Sequence, residues 1–206
     1  VKKTALGDDV EDPTSFSFSF GQGEETENFS LADDEMETFT ELTPGTYAVS
    51  ETIPEGWDQD SVYCGDGISA TSINLAAGQD VVCEFTNSKE GSITVTKYVS
   101  PNDGLSFLFS LASELLGSPL ETTLTNSGSH SFTGLHHGSY TLAETLPEGW
   151  AGTQTAVCNG GEPSDLSSGL LLALDAGEDM SCIVNNTEYG VITGFKFNDK
   201  DMDGTR

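Results

Sequence analysis

One stretch of the sequence occurs twice. Leu42-Thr-Pro-Gly-Thr-Tyr-Ala-Val-Ser-Glu-Thr-Ile-Pro-Glu-Gly-Trp57 returns as Leu135-His-His-Gly-Ser-Tyr-Thr-Leu-Ala-Glu-Thr-Leu-Pro-Glu-Gly-Trp150, an offset of 93 residues from 42 to 135. A chain with such a repeat must fold one unit twice. In an extended strand alternate side chains share a face, so Tyr47, Val49, Glu51 and Ile53 point one way, as do Tyr140, Leu142, Glu144 and Leu146. A carboxylate is therefore in phase with the inward residues. Burying a lone carboxylate costs several kcal/mol, so Glu51 and Glu144 require partners.

The repeat extends beyond this strand. Leu75 to Asn87 matches Leu174 to Asn186 at an offset of 99, six more than before, which places an insertion between Trp150 and Leu174, at the loop from Asn159 to Ser168. Ser88-Lys-Glu-Gly91 reads as a hinge, giving units at 1–90 and 91–189. Gly190-Val-Ile-Thr-Gly-Phe-Lys-Phe-Asn198 opens a third unit (190–206), so the sequence reads as a slice of a longer tandem array. A length of 206 residues suits two compact domains of about a hundred residues each. Short alternating runs predict strands at Ser15–Phe20, Asn28–Leu31, Glu37–Leu42, Ser61–Cys64, Ser72–Leu75 and Asp80–Asn87, with an acidic turn from Gly21 to Glu27. Only Leu105 to Leu116 has competing helical character. The class is all-β, and the strand count per unit is that of a sandwich.

Strand phase supplies the partners for the acid. Val1 and Lys3 share a face, as do Ile93, Val95 and Lys97 in the second unit. On the last strand Cys83, Phe85 and Asn87 share a face, matched by Cys182, Val184 and Asn186. Each unit thus aims one Lys, one Glu and one Asn at its interior. The opening-strand Lys, the Tyr-x-x-x-Glu ahead of a Pro-x-Gly-Trp corner and the terminal Asn resemble the prealbumin-like domains of bacterial surface adhesins and pilins, the collagen-adhesin B or SpaA type. The resemblance spans residues 1 to about 189 and implies tandem Greek-key β-sandwiches.

It also implies an intramolecular isopeptide bond in each unit, Lys3 to Asn87 with Glu51 as the acid and Lys97 to Asn186 with Glu144. The residue types suit that chemistry. Apolar surroundings favour a free amine, the nucleophile, and a neutral carboxyl that can polarise the amide and carry protons. This is one self-directed turnover, so the chain is not expected to be an enzyme. The plainer alternative is an uncrosslinked buried polar cluster.

The four cysteines fall two per unit, Cys64 with Cys83 and Cys158 with Cys182. No Cys-x-x-Cys spacing suggests zinc. Pairing within each unit is the simpler reading and implies an oxidising compartment; buried free thiols are the alternative. Asp199, Asp201 and Asp203 alternate ahead of Gly204, the spacing of the first positions of a calcium loop. The stretch from Gly190 resembles the start of the calcium-binding B-type repeats of serine-aspartate surface proteins, so calcium is the expected cofactor. His136 and His137 replace a Thr-Pro turn, and with His130 nearby they read as a surface loop rather than a metal site. Trp57 and Trp150 read as corner packing. Asn28 and Asn185 stand in glycosylation sequons.

Charge narrows the partners. Seven Lys and Arg face 34 Asp and Glu, a net charge of -27, which repels nucleic acid and anionic lipid. No apolar run approaches the ~20 residues of a membrane span, and the start does not read as a signal peptide. No phosphate loop, nucleophile elbow or zinc-protease motif is present. The expected protein is an extracellular stalk or filament subunit at a microbial cell surface, partnered by copies of itself or by further repeats. The alternative is an adhesin that recognises a host protein or carbohydrate.

Overall fold

The computed structural model describes residues 1–102 and 104–194. Unit one runs through β1 (Lys2–Leu6), β2 (Phe16–Gln22), β3 (Glu25–Leu31), β4 (Gly45–Thr52), β5 (Trp57–Tyr63), β6 (Ile73–Leu75) and β7 (Glu84–Lys89). Unit two follows with β8 (Gly91–Ser100), β9 (Phe107–Ala112), β10 (Leu120–Leu124), β11 (Ser129–Leu135), β12 (Gly138–Thr145), β13 (Gly152–Cys158), β14 (Ser164–Asp165), β15 (Leu170–Leu174) and β16 (Asp179–Glu188).

Each unit is a sandwich of two sheets. In unit one the orders are β1-β7-β5 and β3-β2-β4-β6; in unit two they are β11-β8-β16-β13-β14 and β10-β9-β12-β15. The first and last strands of each unit lie side by side and parallel, β1 on β7 and β8 on β16. A parallel neighbour requires a crossover, and here that crossover is the whole remainder of the unit.

Alternation produces the cores. Phe16 and Phe18 are buried on β2, as are Phe107, Phe109 and Leu111 on β9 and Ile93 and Val95 on β8. Two separate apolar clusters result, one per unit. Trp57 and Trp150 are buried and meet Phe16 and Phe107 edge to face, with ring centroids 4.9 and 5.7 Å apart. They pack the corners, as the sequence suggested.

The structure departs from the sequence reading in several places. Glu37–Leu42 is not a strand; the segment makes a single bridge, Met36 to Lys2, and the Glu35 carbonyl accepts from the Lys3 amide. Three acidic residues at 35, 37 and 41 leave it little apolar surface to bury. In unit two the corresponding edge is the strand β11, paired with β8 through a register shift between Phe132 and Leu135. The acidic stretch from Gly21 to Glu27 is mostly paired strand, since β2 runs to Gln22 and β3 starts at Glu25. Ile53 is 41% exposed, because β4 ends at Thr52 and Pro54 cannot continue the ladder. Ser88 and Lys89 belong to β7, leaving Glu90 alone between the last strand of one unit and the first of the next.

Candidate functional site: lysine, glutamate and asparagine in each core

The opening strand carries its lysine inward because its neighbours two positions away face the core. On β8 Ile93, Val95, Lys97 and Val99 are all buried, and on β1 so are Lys3 and Ala5. Lys3 and Lys97 have no exposed surface at all. In unit one the Lys3 Nζ lies 3.5 Å from Glu51 Oε1; in unit two the Lys97 Nζ lies 3.3 Å from Glu144 Oε1. All four side chains are fully buried.

Each amine also donates to the carbonyl of the next residue, Thr4 at 2.8 Å and Tyr98 at 2.9 Å. Each lies over an aromatic face, 4.0 Å from the Phe16 centroid and 4.6 Å from that of Phe107. A ring face attracts a cation and presents no competing acceptor. Burial holds the Lys3 pKa below the ordinary lysine value, with the Glu51 carboxylate opposing that shift.

The asparagines approach from the neighbouring parallel strand. Asn87 pairs with Ala5 and Asn186 with Val99, so each asparagine stands opposite the residue two positions beyond its lysine, on the same face. Asn87 is 0% and Asn186 1% exposed. Neither the nitrogen nor the oxygen of either amide has a hydrogen-bond partner among the described residues. An unpaired buried polar group costs about 1–3 kcal/mol, and here two complete amides are left so, at equivalent places.

Two residues absent from the sequence reading complete the arrangement. Gln59 Nε2 donates to Glu51 Oε2 at 2.9 Å, and Gln154 Nε2 donates to Glu144 Oε2 at 3.0 Å. Each glutamine sits directly across the ladder from the asparagine, Gln59 opposite Asn87 and Gln154 opposite Asn186. One carboxylate oxygen is thereby fixed by an amide while the other faces the lysine. Amine, carboxyl and amide side chains are thus all buried in the core of each unit. Replacing Gln154 with Leu frees Glu144 to rotate. A misplacement of about 1 Å can cost on the order of 100-fold in rate, so any covalent step at this site should slow by roughly 10–100-fold. Intact mass followed over time in freshly made protein reads that rate.

The cysteines form two disulfides, Cys64–Cys83 and Cys158–Cys182, and no free cysteine remains among the described residues. Cys158 and Cys182 are directly paired across β13 and β16. Asp199, Asp201 and Asp203 lie outside the described residues. No helix among the described residues is long and apolar enough to cross a membrane.

A family model described as a prealbumin-like fold domain matches the chain twice, over residues 1–89 and 93–188. The chain belongs to that family. No curated protein matches it in sequence. Among solved structures it is similar to the major pilin protein T-13 of Streptococcus pyogenes, at 22% identity and a TM-score of 0.41, covering 91% of this chain and 96% of that one. It is also similar to a Mobiluncus mulieris adhesin whose structure contains intramolecular disulfide, isopeptide and ester cross-links. There the identity is 13% and the TM-score 0.41, with 85% of each chain covered.

Proposed function

We propose that the chain is a structural segment of a cell-surface stalk or filament, and that each of its two sandwiches is closed by a Lys–Asn isopeptide bond. The observation that carries this reading is the pair of fully buried Lys–Glu contacts, each beside an asparagine whose amide has no hydrogen-bond partner among the described residues. A polar cluster kept for stability alone would pair its amides. A reacting cluster instead places the amide where the amine can reach its carbon.

In the proposed reaction the neutral Lys3 amine attacks Cγ of Asn87 while protonated Glu51 hydrogen-bonds the amide oxygen. The tetrahedral adduct loses a proton from the attacking nitrogen, the departing nitrogen gains one through the carboxyl group, and the C–N bond of the primary amide breaks. One secondary amide forms and one ammonia leaves. Lys97, Glu144 and Asn186 repeat the sequence in unit two. The two lysine–phenylalanine contacts and the apolar walls exclude the water that would otherwise solvate the amine.

Intact mass after reduction tests this directly. The expected mass is that of the sequence less two ammonias. Glu144→Ala should restore one ammonia and Glu51→Ala the other, whereas an unmodified mass in the native chain would remove the cross-link from the proposal. The remaining parts of the reading rest on composition. A net charge of -27 keeps an extended surface array soluble, and the Asp199, Asp201 and Asp203 spacing supports calcium binding at the start of the following repeat.

The ligand-binding alternative draws on one feature. Where unit one lacks a counterpart to β11, an open cleft of about 520 Å³ is lined by Phe20, Phe39, Tyr47, Ile73 and Val81 among others. Under the adhesin reading a target occupies this cleft, and substitutions at Phe39 would abolish attachment without restoring either ammonia to the intact mass.

A further inference from the structure

The junction between the sandwiches is close. The Gly177 amide donates to the Lys89 carbonyl at 2.8 Å, and a side chain at Gly7 would run into the Ala176 carbonyl. Across this junction Asp60 of β5 meets His136 and His137, which form the two-residue turn between β11 and β12. Successive residues on a strand point to opposite faces. In this turn both rings lie on one side, with centroids 4.4 Å apart and planes tilted by 30°.

Three ligand atoms converge there. His136 Nε2 lies 2.8 Å and His137 Nε2 3.6 Å from Asp60 Oδ1, and all three atoms lie within 4.8 Å of one another. Zinc bonds of about 2.0–2.2 Å to nitrogen and oxygen in a tetrahedron put neighbouring ligand atoms about 3.3 Å apart, midway between the two observed separations. The surrounding contacts fit as well. His136 Nδ1 is 3.0 Å from the His137 carbonyl, which can only accept, so that nitrogen carries a proton and Nε2 is the ring atom that faces Asp60. Asp60 Oδ1 is in turn held by the Ser88 hydroxyl at 3.0 Å, an outer contact of the kind that orients metal-binding carboxylates.

We propose that Asp60, His136 and His137 bind one zinc-class divalent transition ion between the two sandwiches, with a fourth position open to solvent. The two imidazoles select against calcium and magnesium, which take oxygen ligands. The ion would fix the angle between consecutive units. The site occurs once per pair, since unit one carries Thr43 and Pro44 where unit two carries the histidines, so it acts at this junction alone.

The test is a Zn²⁺ titration of the metal-stripped chain at pH 7.5, followed by calorimetry and by ¹⁵N resonances of its three histidines. One equivalent should bind and move the Nε2 signals of His136 and His137, with His130 as the unaffected internal control. Asp60→Asn and His137→Gln should each weaken binding by at least the ~10–100-fold that loss of an outer-shell partner costs. A tenfold excess of Ca²⁺ or Mg²⁺ should not displace the ion. Zinc that leaves both Nε2 signals in place, that shifts His130 equally, or that binds Asp60→Asn as tightly would assign it to the acidic surface and overturn the proposal. Histidine signals that answer to pH but not to zinc would reduce the cluster to a proton-bridged ion pair and overturn it equally.

Discussion

Asn186→Ala is expected to lower the melting temperature of the second sandwich by on the order of 20 °C. The loop that the proposed bond would close between Lys97 and Asn186 spans nearly the whole unit. By the chain-entropy relation for cross-links such a loop contributes about 4–5 kcal/mol, and in a domain of this size each kcal/mol moves the midpoint by about 4–8 °C. The substitution removes the carbon that the amine would attack in the proposed reaction while leaving Lys97 beside Glu144. It also deletes an amide that has no hydrogen-bond partner among the described residues, so its effect on packing and its relief of desolvation work in opposite directions. Calorimetry combined with intact mass separates these contributions, because the fall should accompany the return of one ammonia. A variant that regains the ammonia but melts within a few degrees of the native chain would show that the bond forms without stabilising the fold.

The double substitution of Cys158 and Cys182 by alanine should cost about 3 kcal/mol, a fall of more than 10 °C, by the same relation applied to a separation of 24 residues. Cys182 is fully buried and packs in the core of unit two, so part of the loss is packing. Comparing the alanine variant with the reduced native protein, which keeps both sulfur atoms, isolates the cross-link. Equal melting of reduced and oxidised protein would show that the loop is already restrained by its neighbours in β13 and β16.

The reach of the sequence followed strand phase. Lys97 was readable as buried because Ile93 and Val95 fix the parity of β8, and Asn186 because Cys182 and Val184 do so on β16. Glu51 and Glu144 were readable from a sixteen-residue repeat that kept one carboxylate in phase with Tyr47 and Tyr140. Gln59 and Gln154 escaped for a local reason. Two positions separate Trp57 from Gln59, whereas four separate Trp150 from Gln154, and β5 carries a further register shift between Gln59 and Ser61. Aligned by residue count the glutamines do not correspond; aligned by the ladder both face the asparagine. The acid-rich segment at 37–42 misled in the opposite direction, since its Phe39 alternation serves an irregular segment whose ring stacks on Phe20 at 4.1 Å and not a strand. Asp60 and the histidine pair could not be joined from sequence, because their meeting depends on how one sandwich sits on the next.

The side-by-side placement of β1 with β7, and of β8 with β16, sets how a pull along the chain would be carried. With the amide links in place, tension entering at Val1 passes from Lys3 straight to Asn87, then through ten residues to Lys97 and across to Asn186. The 83 residues from 4 to 86, some 280 Å of contour at full extension, never bear load. The same holds for residues 98–185, and both disulfides lie inside these bypassed loops. Such a chain would behave as an inextensible cord and not as a spring, and reducing its disulfides would leave its length under force unchanged.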